Sequence, residues 1–215
     1  MKITLTDAGK RFNRDWIFRH LSYEFISGRS YAITGPNGSG KSTLLQVIAG
    51  ATVASEGKLK YEITNGTSNQ SSQAISSENF FRYLSFSAPY LELTEEMSVT
   101  EFLTFHQVFK PFLPSVSIEK IIEIVHLHEA AHKQIRYYSS GMKQRVKLAQ
   151  AIFSDTPIVL LDEPCTNFDT DGIALYRQLI KEYGNSRLMI ISSNDKQEYE
   201  FCEEVLDVTQ FKNKK

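Results

Sequence analysis

Residues 35–43 read Gly35-Pro36-Asn37-Gly38-Ser39-Gly40-Lys41-Ser42-Thr43. The stretch matches G-x-x-x-x-G-K-[ST], the pattern of a phosphate-binding loop. Its glycines let backbone N–H groups approach phosphate oxygens with no Cβ in the way. Lys41 supplies a mobile point charge for β and γ phosphates. The Ser42 hydroxyl is an oxygen ligand of the kind Mg²⁺ takes. A glycine-rich turn with an accidental lysine is the competing reading, and the flanks argue against it. Arg29-Ser-Tyr-Ala-Ile-Thr34 is apolar and rich in strand formers. Ser42 to Ala49 has helical spacing, with Leu45, Ile48 and Ala49 on one face, and Gly50 is a good helix stop. Strand, loop and helix in that order put a helix N-terminus under the phosphates, where dipole and free N–H groups favour an anion.

Composition bounds the rest. The 215 residues suffice for one large core or a core with lobes. Apolar residues make up 41% and charged residues 23%, ordinary for a globular protein. A net charge of −1 argues against an electrostatic nucleic-acid surface, so no nucleic-acid partner is expected. No apolar run approaches the ~20 residues of a membrane helix. Met1-Lys-Ile-Thr-Leu-Thr lacks the apolar core of a signal peptide. Cys165 and Cys202 fit a reducing cytosol, and neither has a Cys or His at metal-site spacing. Any membrane role must then run through a partner. His126, His128 and His132 read as a solvated helix and turn rather than a metal site.

Short strands are expected at Lys2–Thr6, Trp16–Phe18 and Leu21–Ile26, then into the loop, then over 55–63. Residues 64–77 are rich in Asn, Ser and Gln and read as a surface loop. Phe80–Phe86 reads as a strand. Ser98-Val-Thr-Glu101 is a capping box that opens a helix, which Pro111 breaks. Further helices are expected at 118–125, 141–153, 172–183 and 196–202, with strands at 158–161, 188–191 and 205–208. Alternation of strand and helix argues for an α/β fold with a parallel sheet and right-handed crossovers.

Pro157-Ile-Val-Leu-Leu-Asp162-Glu163-Pro164 is a buried strand ending in two carboxylates. Ligands in such folds sit at strand C-termini. Asp162 is placed to hold Mg²⁺, and Glu163 to polarise a water attacking the γ-phosphate.

Between the two lies Tyr138-Ser139-Ser140-Gly141-Met142-Lys143-Gln144-Arg145. With this third motif the chain resembles the ATP-binding cassette (ABC) ATPases across its whole length. Their Leu-Ser-Gly-Gly-Gln-like signature stands here as Tyr-Ser-Ser-Gly-Met. The resemblance implies a P-loop NTPase fold: a parallel core sheet, an antiparallel β lobe and a helical signature subdomain. It implies one ABC domain over 1–215, with 1–92 and 151–215 as nucleotide-binding core and 93–150 as helical subdomain. It implies ATP and Mg²⁺ as cofactors, and a homodimer or heterodimer of nucleotide-binding domains. In such dimers Ser139, Ser140 and Gly141 would contact the ATP held by the opposite subunit. Phe12 matches the aromatic that stacks on adenine, with Trp16 near enough to compete, and Asp169 closes the loop after Glu163.

Two stations depart from the family pattern. Pro89 stands at the place of a glutamine that reaches Mg²⁺ and the attacking water. Asn194 stands at the place of the switch histidine; it can donate a hydrogen bond to a phosphate but carries no charge. These changes bear on hydrolysis rate more than on binding. The expected function is the ATP-hydrolysing subunit of an ABC transporter, cytoplasmic and peripheral on the inner membrane face through an integral membrane subunit. Within the family resemblance, the short chain and the Ser-Ser-Gly-Met-Lys-Gln-Arg signature imply a bacterial exporter type. The alternatives are a soluble cassette ATPase driving protein assembly, of iron–sulfur scaffold type, and a nucleotide-dependent module with negligible turnover.

Overall fold

The computed structural model describes residues 1–64 and 72–212. β1 (Lys2–Phe12) and β2 (Asp15–Ile26) form a hairpin, and β3 (Ser30–Thr34) leads to α1 (Lys41–Ile48). β4 (Glu56–Thr64), β5 (Ser72–Ile75), α2 (Ser77–Phe80) and β6 (Leu84–Ser87) follow. A helical run comes next: α3 (Val99–Phe109), α4 (Ile118–Ile124) and α5 (Ser140–Ile152). The chain ends with β7 (Ile158–Asp162), α6 (Thr170–Tyr183), β8 (Leu188–Ser192), α7 (Lys196–Tyr199) and β9 (Glu204–Asp207).

The strands form two sheets. One is antiparallel, in the order β2-β1-β4-β5. The other is parallel, in the order β6-β7-β8-β3-β9. β7 and β8 are buried at every position, as strands covered on both faces are. Their side chains still divide by the period of two. Val159, Leu161, Met189 and Ile191 join one core with Leu103, Ile121, Val146 and Tyr176. Ile158, Leu160, Leu188 and Ile190 join the other, with Ile3, Phe25 and Leu45. The parallel sheet is thus sandwiched between the helical run and the antiparallel lobe with α1.

Several element boundaries differ from the sequence reading. The early short strands are two long ones. Asp7 (φ 49) and His20 (φ 57) are bulged residues that interrupt the alternation without ending the strands. They lie opposite each other, His20 Nδ1 2.8 Å from Asp7 Oδ1. Residues 72–75 of the expected loop form β5, which pairs with β4 through Tyr61 and Ile75; residues 65–71 lie outside the described residues. Phe80 is not in a strand: it ends α2 and stacks on Tyr61, and only Leu84–Ser87 is extended. α7 is a single turn, shorter than expected.

The approach to β7 is held by a buried cation that no sequence pattern marks. Arg187, at the start of β8, donates from Nε to Thr156 O (2.8 Å) and from Nη1 to Ile152 O (2.6 Å), and from Nη2 to Ser154 O. It ties the end of α5 and the lead into β7 to β8, and burial pulls its pKa down to about 10. Arg187→Met would remove a donor from three inward carbonyls, of which Ser154 O keeps the Thr156 N–H at 2.9 Å. The expected cost is about 2–4 kcal/mol of stability, seen as a lowered urea midpoint at unchanged slope. A loss under about 1 kcal/mol would mean those carbonyls find other partners.

Candidate active site

The phosphate loop hangs from the C-terminal end of β3, whose central residues Tyr31, Ala32 and Ile33 are buried. Gly40, at φ 105, occupies the N-cap position of α1 and makes no side-chain cap. The first N–H groups of α1 therefore have no intrahelical or capping acceptor and are free for an anion. A Cβ on Gly40 would collide with Ile17 Cγ2, so glycine is required here by conformation and by space. Lys41 is buried at 4% exposure and bends back over the loop, donating to Gly35 O (2.9 Å) and Pro36 O (3.3 Å). Its charge is held over the loop by the loop's own carbonyls.

Asp162 ends β7 and is 1% exposed. Burial raises its pKa, while the nearby Ser192 and Ser42 hydroxyls and Lys41 oppose that rise. Its Oδ1 has no hydrogen-bond partner. A buried, unpartnered carboxylate oxygen beside a serine hydroxyl is an oxygen donor set with an opening. Glu163 comes next, at φ 41, and lines a cleft of about 210 Å³ with Asn37, Lys41, Ser42 and Thr43. Asn194 reaches the same loop, its Nδ2 donating to Asn37 Oδ1 at 3.0 Å.

The remaining candidates stand apart from this cleft. Ser139 caps α5, its hydroxyl accepting from Met142 N at 3.2 Å; Ser139 and Ser140 are exposed. Gly141 packs on the turn after β7, where a Cβ would come within 3.4 Å of Asn167 O. Phe12 sits at the hairpin tip, 49% exposed, with Lys10 Nζ 4.9 Å from its ring. Trp16 lies between two cations, Arg11 and Arg19. Neither aromatic lines the cleft; Ile17 does. Ile17 reads as one more strand residue, so nothing in the sequence marks it. Asp169 caps α6 through Gly172 N at 2.8 Å. Among the described residues no group of His, Cys, Asp or Glu is arranged to hold a metal on its own. His126, His128 and His132 are exposed.

Pro89 offers no side-chain donor, and its carbonyl accepts from Lys147 Nζ at 2.6 Å. It borders a second cleft, about 510 Å³, with Tyr90, Leu91, Glu92, Glu95 and Lys143. Of the apolar residues there, Leu93 turns inward at 8% exposure and Tyr90 turns out at 50%. The acidic residues are not all free to meet a partner. Glu95 pairs with Lys143 (2.6 Å) and Glu96 with Arg136 (3.1 Å).

Comparison with known proteins gives this geometry its place. The family model described as ABC transporter matches residues 18–166. The cytochrome c biogenesis ATP-binding export protein CcmA of Brucella abortus is 33% identical over 186 residues, 86% of this chain and 81% of that protein. A solved ABC transporter ATP-binding protein from Pyrococcus furiosus superposes with a TM-score of 0.79 at 20% identity, covering 99% of this chain and 100% of that one. The dimeric structure of MJ0796, a bacterial ABC transporter cassette, does so at 0.77 and 21%, covering 96% and 95%. These structural likenesses show the P-loop NTPase fold of ABC cassettes. Among the described residues no helix is long and apolar enough to cross a membrane. The family match spans the phosphate loop, the signature and the Asp-Glu strand together, and on it the chain belongs to the ABC transporter family, as the ATP-binding subunit that powers transport.

Proposed function

We propose that this chain binds Mg-ATP in the cleft between the phosphate loop and the end of β7, and hydrolyses it there. The observation that carries the reading is the buried Asp162 carboxylate, with its unpartnered Oδ1, beside Ser42 and Lys41. Gly35 to Thr43 wrap the phosphates, and the open N-terminus of α1 receives their charge. Lys41 leaves its loop carbonyls for the β and γ phosphates. Ser42 and Asp162 would hold Mg²⁺, which neutralises charge on the phosphates when bound. Glu163 orients and polarises the attacking water. Asn194 and Asn37 form a neutral polar edge to the cleft. A neutral Asn194 and a Pro89 without a side-chain donor remove two aids to the transition state, so turnover is slow.

The division of labour follows the chain: 1–92 and 151–215 hold nucleotide, and 93–150 carries the signature. Ser139 and Ser140 stand exposed, and Gly141 half-buried, at the N-terminus of α5, away from their own cleft. They suit the terminal phosphate of an ATP held by a second domain, identical or related. Phe12, exposed on the hairpin, stacks on the adenine. The dimeric cassette of similar fold supports this arrangement.

Glu163→Gln is expected to keep ATP binding and lower turnover by about 100-fold or more, leaving an ATP-dependent dimer that persists in size-exclusion chromatography. Wild-type turnover in that variant would remove Glu163 from the chemistry.

The cleft beside Pro89 is the seat of the membrane subunit, which anchors the chain at the cytoplasmic face. Export is the favoured direction, since CcmA is named an export protein. Exposed Tyr90, half-buried Leu91 and the free Glu92 form the contact. An apolar patch with one unpaired acid favours a short amphipathic helix bearing a basic residue. Tyr90→Ala with Leu91→Ala should leave ATP binding intact and abolish recovery of the membrane subunit from detergent extracts. Normal recovery would move the docking site elsewhere.

A further inference from the structure

The turn that follows β7 is backbone-strained at two non-glycine residues, Glu163 (φ 41) and Asn167 (φ 66). Such conformations persist only where surrounding contacts over-determine them. Local bonds supply part of that. Glu163 N donates to Ser192 O at 2.8 Å. The N–H and hydroxyl of Thr166 both donate to Glu163 O, at 3.2 and 2.9 Å.

Two buried polar side chains from distant helices supply the rest. Gln144, on α5, is 3% exposed and donates from Nε2 to Pro164 O at 2.7 Å. Glu198, on α7, is 5% exposed and accepts from Cys165 N at 2.7 Å through Oε1. Neither lines the nucleotide cleft. Burying a carboxylate is costly, and Oε2 of Glu198 has no hydrogen-bond partner. The carboxylate is nonetheless fixed in place. Asp195 caps its helix through Gln197 N, and the fully buried Tyr176 hydroxyl donates to Glu198 O at 2.7 Å. The Gln144 and Glu198 bonds clamp one peptide group from both ends, the Pro164–Cys165 peptide, one removed from Glu163.

We propose that Gln144 and Glu198 are positioning residues for Glu163: by fixing the Pro164 carbonyl and the Cys165 N–H, they hold the strained turn and aim the Glu163 carboxylate into the cleft. The proposal rests on the reading of Glu163 as the residue that polarises water. It also gives α5 a mechanical link to the chemistry. Gln144 lies one turn from Gly141, so a shift at the exposed start of the helix is carried to the residue after Glu163.

The test is ATP turnover and ATP binding by the purified chain carrying Gln144→Met, which keeps the bulk of the side chain and removes the donor. The expected result is a kcat lowered about 10- to 100-fold, the scale of a misplaced catalytic group, with a Kd for a fluorescent ATP analogue within about threefold of wild type. In a Glu163→Gln background, single-turnover hydrolysis should fall by less than about threefold on adding Gln144→Met, because the aimed group is already gone. Turnover of Gln144→Met within about twofold of wild type, or the same fold loss in both backgrounds, would overturn the proposal. On the other helix, Glu198→Gln keeps an acceptor for Cys165 N–H and should retain about tenfold more turnover than Glu198→Leu; equal losses would overturn its part. Wild-type turnover in Glu163→Gln alone would instead bring down the reading beneath, and is visible without touching Gln144 or Glu198.

Discussion

Asp162 is a carboxylate taken almost wholly out of water at the end of a strand of apolar residues. A buried charge of this kind is destabilising unless something compensates it. Here the compensation is incomplete: Ser42, Ser192 and Lys41 favour its charged form, yet burial still dominates and its pKa is raised. The sign follows. A carboxyl with a raised pKa favours the fold when protonated; that contribution is present below the unfolded pKa and lost as pH rises through the folded value. In its charged form Asp162 therefore costs the fold stability. Much of the surrounding architecture serves to keep the carboxylate where it is. β8 lies between β7 and β3, so its end brings Ser192 to Asp162, and α1 brings Lys41 and Ser42 from the far side.

That arrangement explains which parts were readable in the chain. The phosphate loop and the strand ending Asp162-Glu163 were legible because their chemistry is local: glycines at fixed offsets, an apolar run, then carboxylates. The parallel sheet was legible because strands and helices alternate along the last third of the chain. The long hairpin was not, because bulges at Asp7 and His20 break a pattern while preserving a strand. β5 was missed because its composition is that of a loop and its pairing with β4 is tertiary.

The less legible residues are placed by tertiary contacts. Gln144 carries a faint signal, a polar residue in register with the buried Leu148 and Ile152 at intervals of four. Glu198 and Arg187 carry none, since each looks like an ordinary surface charge until the fold buries it. Ile17 is positioned by hairpin register alone. The signature is a different case. Its residues are easy to find, but the fold leaves Ser139 and Ser140 exposed and apart from their own cleft, so the role proposed for them requires a second domain.

We propose that the Asp162 carboxylate is buried for a metal-bound nucleotide, at a cost to the fold. Thermal melting of wild type and Asp162→Asn, each with and without Mg²⁺ and ATP, tests it directly. The neutral amide should raise the melting temperature of the ligand-free protein and remove most of the further rise that Mg²⁺ gives in the presence of ATP. An unchanged or lower ligand-free melting temperature, together with a full Mg²⁺-dependent rise in the variant, would contradict the account.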